Sequence, residues 1–386
     1  MKTALLHYWL TNMRGGEKVL AALGEMFPEA DVFTHALGRA MRDQVKVKGE
    51  GEQWNGHSVD ESFIASLPFG RKWTQAYLPL MPLANRRFDL SGYDLIISSE
   101  SGPIKGIRKP SGARHICYCH TPMRYVWDMY DEYYRMAGLG GKLAMKLFTP
   151  YLRKEDLKSA ESVDQFVANS RFVADRIKRI YGRDAAVVYP PVDVGFFSGS
   201  YEKGDYYLLA GQLIGYKRPD LAIAACVKMG RKIVVIGNGN QRAALEKQYA
   251  ANPLVTFLGR VSDDELKATY GGAKALIFPG LEDFGIVPVE AQAAGTPVIA
   301  YGRGGALETV KDGETGLFFP EQTVESLDAA IESFEARSWS SDACRANAAN
   351  FTLQAFKDGM RRRVDAGQRK PHSPAICGII LKSISN

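Results

Sequence analysis

Short apolar runs alternate with amphipathic stretches through most of this chain, and that alternation strongly limits the folds it can adopt. The runs at 94–98, 165–169, 233–236 and 275–278 have the length and composition of buried strands. Each is followed by turn residues and then by a helical pattern, and strands that alternate with helices are typical of parallel sheets. The sequence therefore predicts an α/β protein with doubly wound sheets.

A stiff segment divides this pattern into two halves. Residues 188–193 contain two adjacent prolines, whose fixed φ angles stiffen the chain in the manner of a connection between domains. A length of 386 residues also suits two domains. We therefore predict a first domain over 1–195, a second over 196–350, and a helical segment over 351–386 that packs back on the first domain. Such domains form a cleft at the carboxyl ends of their sheets, where these folds bind ligands.

Positive charge is concentrated in one part of the chain. The net charge is +6, and residues 101–160 hold eleven Lys or Arg against five Asp or Glu, a local excess of +6. A basic stripe suits nucleic acid, anionic lipid or a phosphorylated substrate. The sequence has no helix-turn-helix, RNP or zinc-finger pattern, so we expect no nucleic-acid partner. No apolar stretch approaches the roughly 20 residues that span a bilayer, which argues against an integral membrane protein.

The five cysteines follow no disulfide-framework spacing, and their odd number is typical of a reducing compartment. Cys117 and Cys119 could bind a metal ion together with His115 and His120, but no second cysteine pair completes such a site. Because both cysteines belong to an apolar run, we interpret them as small apolar residues of a buried strand.

The stretch 278–290 carries the clearest chemistry in the sequence. It leaves the end of a predicted strand, passes through a loop at Gly285, and enters a helix near Pro288, whose missing N–H costs nothing at a helix start. The free backbone N–H groups of Gly285, Ile286 and Val287 then form an anion site at a helix N-terminus.

Two glutamates bracket that loop. Glu282 lies on the loop and Glu290 in the first turns of the helix, so both carboxylates can face one cleft. A single acidic residue at a helix start commonly serves only the helix dipole. Two of them around the apolar side chains of Phe284, Ile286 and Val287 favour a binding or catalytic site instead.

The spacing Glu282-x7-Glu290 resembles the glutamate pair of the retaining GT-B glycosyltransferases of family 4, which use nucleotide sugars. The resemblance covers nearly the whole chain. Further family motifs fall in the expected order at 168–172, 189–193, 236–239 and 257–261. Residues 115–128 resemble a branch of bacterial polysaccharide enzymes, many of them mannosyltransferases. The resemblance implies a GT-B fold, with an acceptor-binding first domain and a nucleotide-sugar-binding second domain that are both Rossmann-like.

The resemblance also implies roles for individual residues. Lys217 matches the lysine that neutralises the donor diphosphate, and Gly16 matches the glycine whose backbone faces the phosphates. Glu290 matches the glutamate that binds the ribose hydroxyls. Glu282 matches the glutamate beside the transferred sugar, and His120 matches the first-domain histidine near that sugar. Glu282, Lys217 and His120 are thereby implied as the catalytic residues.

One position departs from the family pattern. Many relatives carry Arg where this chain has Gln212, which donates hydrogen bonds but brings no charge. Neutralisation of the diphosphate then depends more heavily on Lys217 and Arg218. The chain has no Asp-x-Asp triplet of the kind that holds a divalent metal under a nucleotide diphosphate, so we expect neither a metal nor another cofactor.

Two basic, apolar stretches, at 63–87 and 139–158, bear on the acceptor side of the reaction. One interpretation is amphipathic helices packed on their own domain, with a solvated charged face. The other is attraction to anionic headgroups, or to the diphosphate of a polyprenyl-linked saccharide acceptor. The second interpretation predicts a cytoplasmic enzyme that works at the inner membrane surface without crossing it.

The combined prediction is a retaining glycosyltransferase that moves mannose from GDP-mannose to a lipid-linked oligosaccharide in bacterial polysaccharide synthesis. A UDP-glucose-dependent enzyme of the same fold and a nucleotide-sugar epimerase are the alternatives. A Rossmann oxidoreductase is disfavoured, because Gly237-x-Gly239 lacks a third glycine at the spacing that dinucleotide binding requires.

Overall fold

The first domain is an α/β structure built on one mainly parallel sheet. The computed structural model describes residues 1–38, 41 and 53–366 of the chain. Its strands are β1 (Thr3–His7), β2 (Asp31–Thr34), β3 (Gln53–Trp54), β4 (His57–Glu61), β5 (Leu95–Glu100), β6 (Arg114–Cys119), β7 (Gln165–Ala168) and β8 (Ala185–Val187). Their order across the sheet is β3-β4-β2-β1-β5-β6-β7-β8, and β3 pairs with β4 in the antiparallel sense. The central strands β1 and β5 are buried at every position, as a sheet covered on both faces requires.

Helices and 3-10 turns connect these strands in the described part of the chain. They are α1 (Gly15–Met26), α2 (Met81–Asn85), α3 (Tyr130–Met136), α4 (Leu139–Glu161) and α5 (Arg171–Tyr181), with 3-10 turns at Phe63–Ser66 and Thr74–Leu80. Helix α1 begins at Gly15, and its buried residues Val19, Leu20 and Leu23 recur about one turn apart. That spacing gives α1 one apolar face, which packs on the sheet.

The second domain repeats the architecture with a smaller parallel sheet. Its strands are β9 (Tyr207–Ala210), β10 (Ile233–Ile236), β11 (Val255–Gly259), β12 (Leu276–Phe278), β13 (Val298–Tyr301) and β14 (Gly316–Phe319), in the order β11-β10-β9-β12-β13-β14. Its helices are α6 (Val194–Phe197), α7 (Pro219–Lys228), α8 (Arg242–Tyr249), α9 (Asp263–Gly272), α10 (Ile286–Ala293), α11 (Ala306–Thr309), α12 (Val324–Glu335) and α13 (Ser341–Ala348). Short 3-10 turns lie at Gly215–Lys217 and Ala349–Phe351.

The predicted fold class is confirmed, because each domain is a Rossmann-like α/β domain built on a doubly wound sheet. In each sheet the first strand of the domain lies in the middle: β1 between β2 and β5, and β9 between β10 and β12. The connections therefore leave a central strand in opposite directions, which opens a crevice at its carboxyl end. The segments that follow β1 and β9 both line the candidate site.

The chain returns to the first domain at its described end. Helix α14 (Leu353–Ala366) buries Phe356, Met360 and Val364 in the core of the first domain. The Phe356 ring lies 5.6 Å from that of Tyr118, centroid to centroid. Arg114 of β6 donates a hydrogen bond to the α14 backbone. The remaining part of the predicted helical segment, 367–386, lies outside the described residues.

The double-proline segment 188–193 contacts the carboxyl end of the second domain and the loop that carries Glu282. The Val192 N–H donates to the Phe351 carbonyl at 2.9 Å. The Tyr189 ring lies 5.2 Å from the Phe351 ring and 5.7 Å from the Phe284 ring, centroid to centroid. The chain passes between the domains twice, near residues 193 and 352. These two connections therefore pack together beside the loop that carries Glu282.

Cys117 and Cys119 lie on β6 and are fully buried, which confirms their interpretation as small apolar residues of a buried strand. Burial raises the pKa of both thiols well above its ordinary value. Neither thiol is therefore a ready nucleophile or metal ligand.

Among the described helices, none is both long and apolar enough to cross a membrane. Helix α4, with 23 residues, nevertheless carries apolar side chains on its outer surface. Leu139, Leu143 and Leu147 are 89%, 69% and 66% exposed, and their four-residue spacing places them along one side of the helix. We call these three residues the leucine face. It differs from the apolar face of a packed amphipathic helix, because its leucine side chains are largely exposed.

Candidate active site

Two loops of the second domain bring Lys217 and Glu282 together. Lys217 ends the 3-10 turn after β9, and Glu282 lies in the loop after β12. Their side chains form an ion pair, with 2.6 Å between Lys217 Nζ and Glu282 Oε1. The two loops approach closely because residue 280 is glycine: a Cβ on Gly280 would lie 2.8 Å from Lys217 Cα. The predicted cation and the predicted sugar-side carboxylate therefore lie side by side.

The glycine loop ends where helix α10 begins. Gly285 is its N-cap, with a φ of 92° that favours glycine, and Ile286 and Val287 are its first two residues. A Cβ on Gly15 of the first domain would lie 2.7 Å from Ile286 Cδ1. Since Gly15 is the first residue of α1, the N-termini of α1 and α10 meet across the cleft. An anion placed between them would face the positive ends of two helix dipoles.

Glu290 on α10 accepts a hydrogen bond within its own domain and is influenced by a charge of the other domain. The Tyr270 hydroxyl donates to Glu290 Oε2 at 3.2 Å. Burial raises the pKa of Glu290, and the positive charge of Lys18 together with the Tyr270 hydrogen bond opposes that shift. Because Lys18 belongs to α1, a charge of the first domain acts on this second-domain carboxylate. Lys18 had no distinguishing pattern in the sequence.

Gly16 and His120 adjoin each other on the first-domain side. A Cβ on Gly16 would lie 2.9 Å from Tyr8 Oη and 3.6 Å from His120 Nε2, so a larger residue would crowd the tyrosine hydroxyl beside the histidine. His120 follows β6, and its Nε2 lies 2.8 Å from Ser99 Oγ. Burial lowers the pKa of His120 to about 3, with a smaller contribution from His7. The ring is therefore neutral near pH 7 and can serve as a hydrogen-bond partner but not as a cation.

Gln212 and Arg218 occupy different positions relative to the cleft. Gln212 lines the same cavity as Lys217. The Arg218 guanidinium donates instead to the Asp220 carboxylate at 3.0 Å and to the Gln322 carbonyl at 3.2 Å. The Arg218 charge is therefore paired with Asp220 and not with Glu282, which is the partner of Lys217.

Asp283 joins the two domains directly beside Glu282. Its carboxylate accepts hydrogen bonds from Arg124 and from Arg176, with 2.6 Å to Arg176 Nη1, and both arginines belong to the first domain. The bridge holds the Glu282 loop against the opposite wall of the cleft. The sequence did offer a signal, because an acid inside an apolar glycine loop needs a partner if it is buried.

Glu308 makes a second bridge between the domains. It accepts hydrogen bonds from the backbone N–H groups of Arg171 at 2.8 Å and Phe172 at 3.1 Å, the first residues of α5. The Tyr189 hydroxyl donates to the same carboxylate at 3.1 Å. A carboxylate at a helix N-terminus satisfies free N–H groups and complements the helix dipole.

The arrangement is suited to binding a phosphorylated ligand. One lysine and the N-termini of two helices face one cleft, and these are groups that bind phosphate. Within residues 1–38, 41 and 53–366, no group of three or more His, Cys, Asp or Glu side chains is arranged to hold a metal ion. The two glutamates add hydrogen-bond acceptors for the neutral hydroxyls of such a ligand.

Two family models match consecutive stretches of the chain. The model described as Glycosyltransferase Family 4 matches residues 13–196, and the model described as Glycosyl transferases group 1 matches residues 195–351. Curated relatives include the D-inositol 3-phosphate glycosyltransferase of Mycobacteroides abscessus, 29% identical over 245 residues, or 56% of this chain and 55% of that protein. The protein of the same name from a Nocardioides species is 30% identical over 236 residues, or 51% and 48%. The chain thus spans about half the length of the curated relatives it matches.

Solved structures share the fold over nearly the whole chain. The Anabaena protein HepE, solved in complex with UDP, has a TM-score of 0.68 at 16% identity, covering 95% of this chain and 100% of that one. Sucrose-phosphate synthase from Thermosynechococcus elongatus has a TM-score of 0.68 at 18% identity, with the same coverage. At such identities the likeness establishes the GT-B fold alone. Together with the two consecutive family models over 13–351, it shows that this chain belongs to the group 1, family 4 glycosyltransferases of GT-B fold.

Proposed function

We propose that this chain is a retaining glycosyltransferase that transfers a hexose from a nucleotide sugar to a saccharide acceptor. The observation that carries the proposal is the Lys217–Glu282 ion pair at the cleft, since it joins a cation suited to a leaving diphosphate and a carboxylate suited to a sugar. As the bond between sugar and diphosphate breaks, negative charge develops on the phosphate and positive charge on the sugar ring. Groups of opposite sign held on each side stabilise that transition state.

The proposed reaction exchanges one bond for another at the anomeric carbon. The bond from this carbon to the phosphate oxygen breaks, and the electron pair stays on the nucleoside diphosphate. A hydroxyl oxygen of the acceptor forms the new bond on the same face of the ring, and its proton passes to the departing diphosphate. Lys217 and the N-termini of α1 and α10 would offset the charge of the diphosphate, Glu290 would hold the ribose, and Glu282 and His120 would face the sugar.

Mannose from GDP-mannose is the donor we propose. The support is the resemblance of residues 115–128 to polysaccharide enzymes that include many mannosyltransferases. A UDP-sugar is the second candidate, favoured by the structural neighbour HepE, which was solved with UDP and with UDP-glucose. We propose that neither donor needs a metal, because Lys217 and backbone N–H groups supply the positive charge. Activity is then expected to persist in excess EDTA.

A lipid-linked oligosaccharide at the cytoplasmic face of a membrane is the acceptor we propose. The support is the leucine face of α4 and the charge around it. Residues 133–154 contain five Lys or Arg and no Asp or Glu, and Lys142 and Lys146 alternate with the three leucines along α4. Apolar side chains beside basic ones on a helix surface are typical of proteins that bind anionic lipid headgroups.

Binding of nucleotide sugars, followed by product analysis, tests the proposed function. A specific donor at about 100 times its Kd stabilises the folded protein by about 2.7 kcal/mol, so a thermal-shift panel of GDP- and UDP-sugars identifies it. Incubation with that donor and candidate acceptors should give an α-linked product by NMR. A β-linked product would contradict the retaining reaction. Conversion of the donor sugar in the absence of acceptor would instead identify an epimerase.

A further inference from the structure

A line of polar side chains leads from His120 to a buried carboxylate. His120 Nε2 lies 2.8 Å from Ser99 Oγ, and the same hydroxyl lies 3.2 Å from His7 Nδ1. His7 Nε2 faces Glu17, whose Oε1 is 3.9 Å away. Ser99, His7 and Glu17 are all buried. The β1–β5 pairing creates the arrangement, because its parallel register sets His7 directly opposite Ser99.

The proton count along this line allows few arrangements. A neutral imidazole has one N–H and one acceptor nitrogen, and a serine hydroxyl has one proton to donate. If Ser99 donates to His120, then His7 donates from Nδ1, and the lone pair of His7 Nε2 faces Glu17. If Ser99 donates to His7, then His7 carries its proton on Nε2 towards Glu17, and His120 donates to Ser99 from its own Nε2.

The charge of Glu17 selects between these arrangements. Among the described residues, His7 Nε2 has no hydrogen-bond partner, so the carboxylate 3.9 Å away dominates its surroundings. An N–H group directed at a carboxylate is attracted to it, whereas a nitrogen lone pair directed at it is repelled. Burial increases the difference between these two interaction energies, because the local dielectric is low. The hydrogen bond that one ring nitrogen of a histidine makes decides which of the two nitrogens carries the proton. The second arrangement is therefore the stable one.

We propose that Glu17, His7 and Ser99 are positioning residues that hold His120 in the tautomer protonated on Nε2, which leaves Nδ1 as a hydrogen-bond acceptor. A group that binds at Nδ1 must then be a donor, such as a sugar hydroxyl. The hydroxyl as ligand rests on the proposed function, whereas the tautomer itself does not. Since burial keeps the His120 ring neutral, the tautomer and not the charge decides what His120 can bind.

Nitrogen-15 NMR of the imidazole rings measures this tautomer directly. The protein would be labelled at its histidine nitrogens and recorded at pH 8, with His120 assigned by comparison with His120→Gln. We expect the His120 signals of a ring protonated on Nε2. Signals of a ring protonated on Nδ1 would overturn the inference, whether or not the protein transfers a sugar.

Variants of Glu17 and Ser99 test whether these residues determine the tautomer of His120. Glu17→Gln removes the charge but keeps an oxygen that can accept from the Arg14 N–H, which Glu17 Oε2 binds at 3.1 Å. We expect it to populate the Nδ1-protonated form of His120. Ser99→Ala should lower kcat about tenfold, as expected for one lost hydrogen bond, while the Kd for nucleoside diphosphate stays unchanged. An unchanged tautomer in Glu17→Gln would show that the carboxylate does not select it.

The adjacent serine supplies a matched control. Ser98 Oγ lies 2.9 Å from His115 Nε2, so Ser98→Ala also removes a buried Ser–His hydrogen bond, on the opposite face of β5. We expect Ser98→Ala to change neither the His120 tautomer nor kcat. If it lowers kcat as much as Ser99→Ala, the loss reflects β5 packing and the inference is wrong. An inactive wild type that shows the Nε2 tautomer would instead contradict only the proposed function.

Discussion

Lys217 Nζ lies 2.6 Å from Glu282 Oε1, so the cation and the carboxylate at the cleft are each other's partners. The pair is partly open to solvent, with side chains 20% and 22% exposed. An entering diphosphate would compete with Glu282 for the lysine, and Glu282 would be released towards the sugar. The two proposed roles would thus be coupled, because a ligand that binds Lys217 would also free the carboxylate beside it.

Lys217→Ala should abolish most of the turnover, because Arg218 is already paired with Asp220 and little else offsets the charge of the leaving group. Loss of one donor to a developing charge costs about 2.7 to 4 kcal/mol, or a factor of roughly 10² to 10³ in kcat. Lys228→Ala is the matched control, since Lys228 pairs with Asp328 at 2.8 Å away from the cleft. Steady-state kinetics with the identified donor decide the matter, and a kcat near that of wild type would contradict the role of Lys217.

Asp283→Asn should destabilise the protein, because Arg124 and Arg176 both donate to this carboxylate across the domain boundary. Hydrogen bonds to charged groups contribute about 1.5 to 3 kcal/mol, so a clear fall in Tm is expected. Asp342→Asn is the control, since Asp342 is 91% exposed in its pair with Arg345. Exposed pairs contribute about 0 to 1 kcal/mol. Equal Tm values for the two variants would show that the bridge does not hold the domains together.

The strands that were predicted from the sequence are those with continuous apolar runs. Ile233–Ile236 matches the prediction at both ends, because a charged residue precedes it and Gly237 ends it. By contrast, His57–Glu61 alternates between less exposed and more exposed positions, and its polar composition prevented its prediction. The burial of one face of this strand depends on the neighbouring strands of the sheet, which the local sequence pattern does not indicate.

The site was predictable where its residues share a motif and unpredictable where strand register assembles it. Glu282 and Glu290 lie in one loop-helix unit, so a cleft shared by both could be predicted from the sequence. His7 and Ser99 are 92 residues apart, and the parallel pairing of β1 with β5 sets them side by side. Register is decided by which faces are buried in the tertiary structure, so one sequence alone does not specify such a pair.

Leu143→Glu should weaken binding to anionic vesicles, because Leu143 lies at the centre of the leucine face and is 69% exposed. Burying one leucine side chain contributes about 1.5 to 3 kcal/mol, so its loss should lower the partition coefficient about tenfold or more. Leu258→Glu is the control, since Leu258 is an exposed leucine of the second domain. Sedimentation with vesicles should also fall as salt rises, because screening acts beyond about 10 Å at 0.1 M salt. Equal binding to neutral and anionic vesicles would contradict an electrostatic contribution.

Binding of nucleoside diphosphate should weaken as the pH falls through the raised pKa of Glu290. Burial raises this pKa above its ordinary value of 4.5, so the carboxylate takes up a proton at a higher pH than an exposed glutamate. In the proposed role of Glu290, protonation removes the charge that would accept hydrogen bonds from the ribose hydroxyls, so affinity should be greatest above that pKa and decline below it. Calorimetric titrations across the pH range should show this decline in the wild type and a flatter profile in Glu290→Gln. An identical profile in both proteins would show that another group titrates.

Glu282→Gln and Glu290→Gln should fail in different steps, since each keeps the size of the side chain and removes its charge. Glu290 is proposed to hold the ribose, whose charge does not change during the reaction, so its loss should raise the donor KM more than it lowers kcat. Glu282 is proposed to face the sugar, where positive charge develops only as the bond breaks, so its loss should act chiefly on kcat.

Nucleotide affinity separates these two roles further. Because Glu282 pairs with Lys217 at 2.6 Å, Glu282→Gln should leave the Kd for nucleoside diphosphate unchanged or make it smaller by freeing the lysine. Glu290→Gln should make that Kd larger. Calorimetry and steady-state kinetics on both variants test the pair together. If Glu282→Gln abolished nucleotide binding while Glu290→Gln left it intact, the two assignments would be reversed. If neither variant changed Kd, KM or kcat, the two carboxylates would have no part in the reaction.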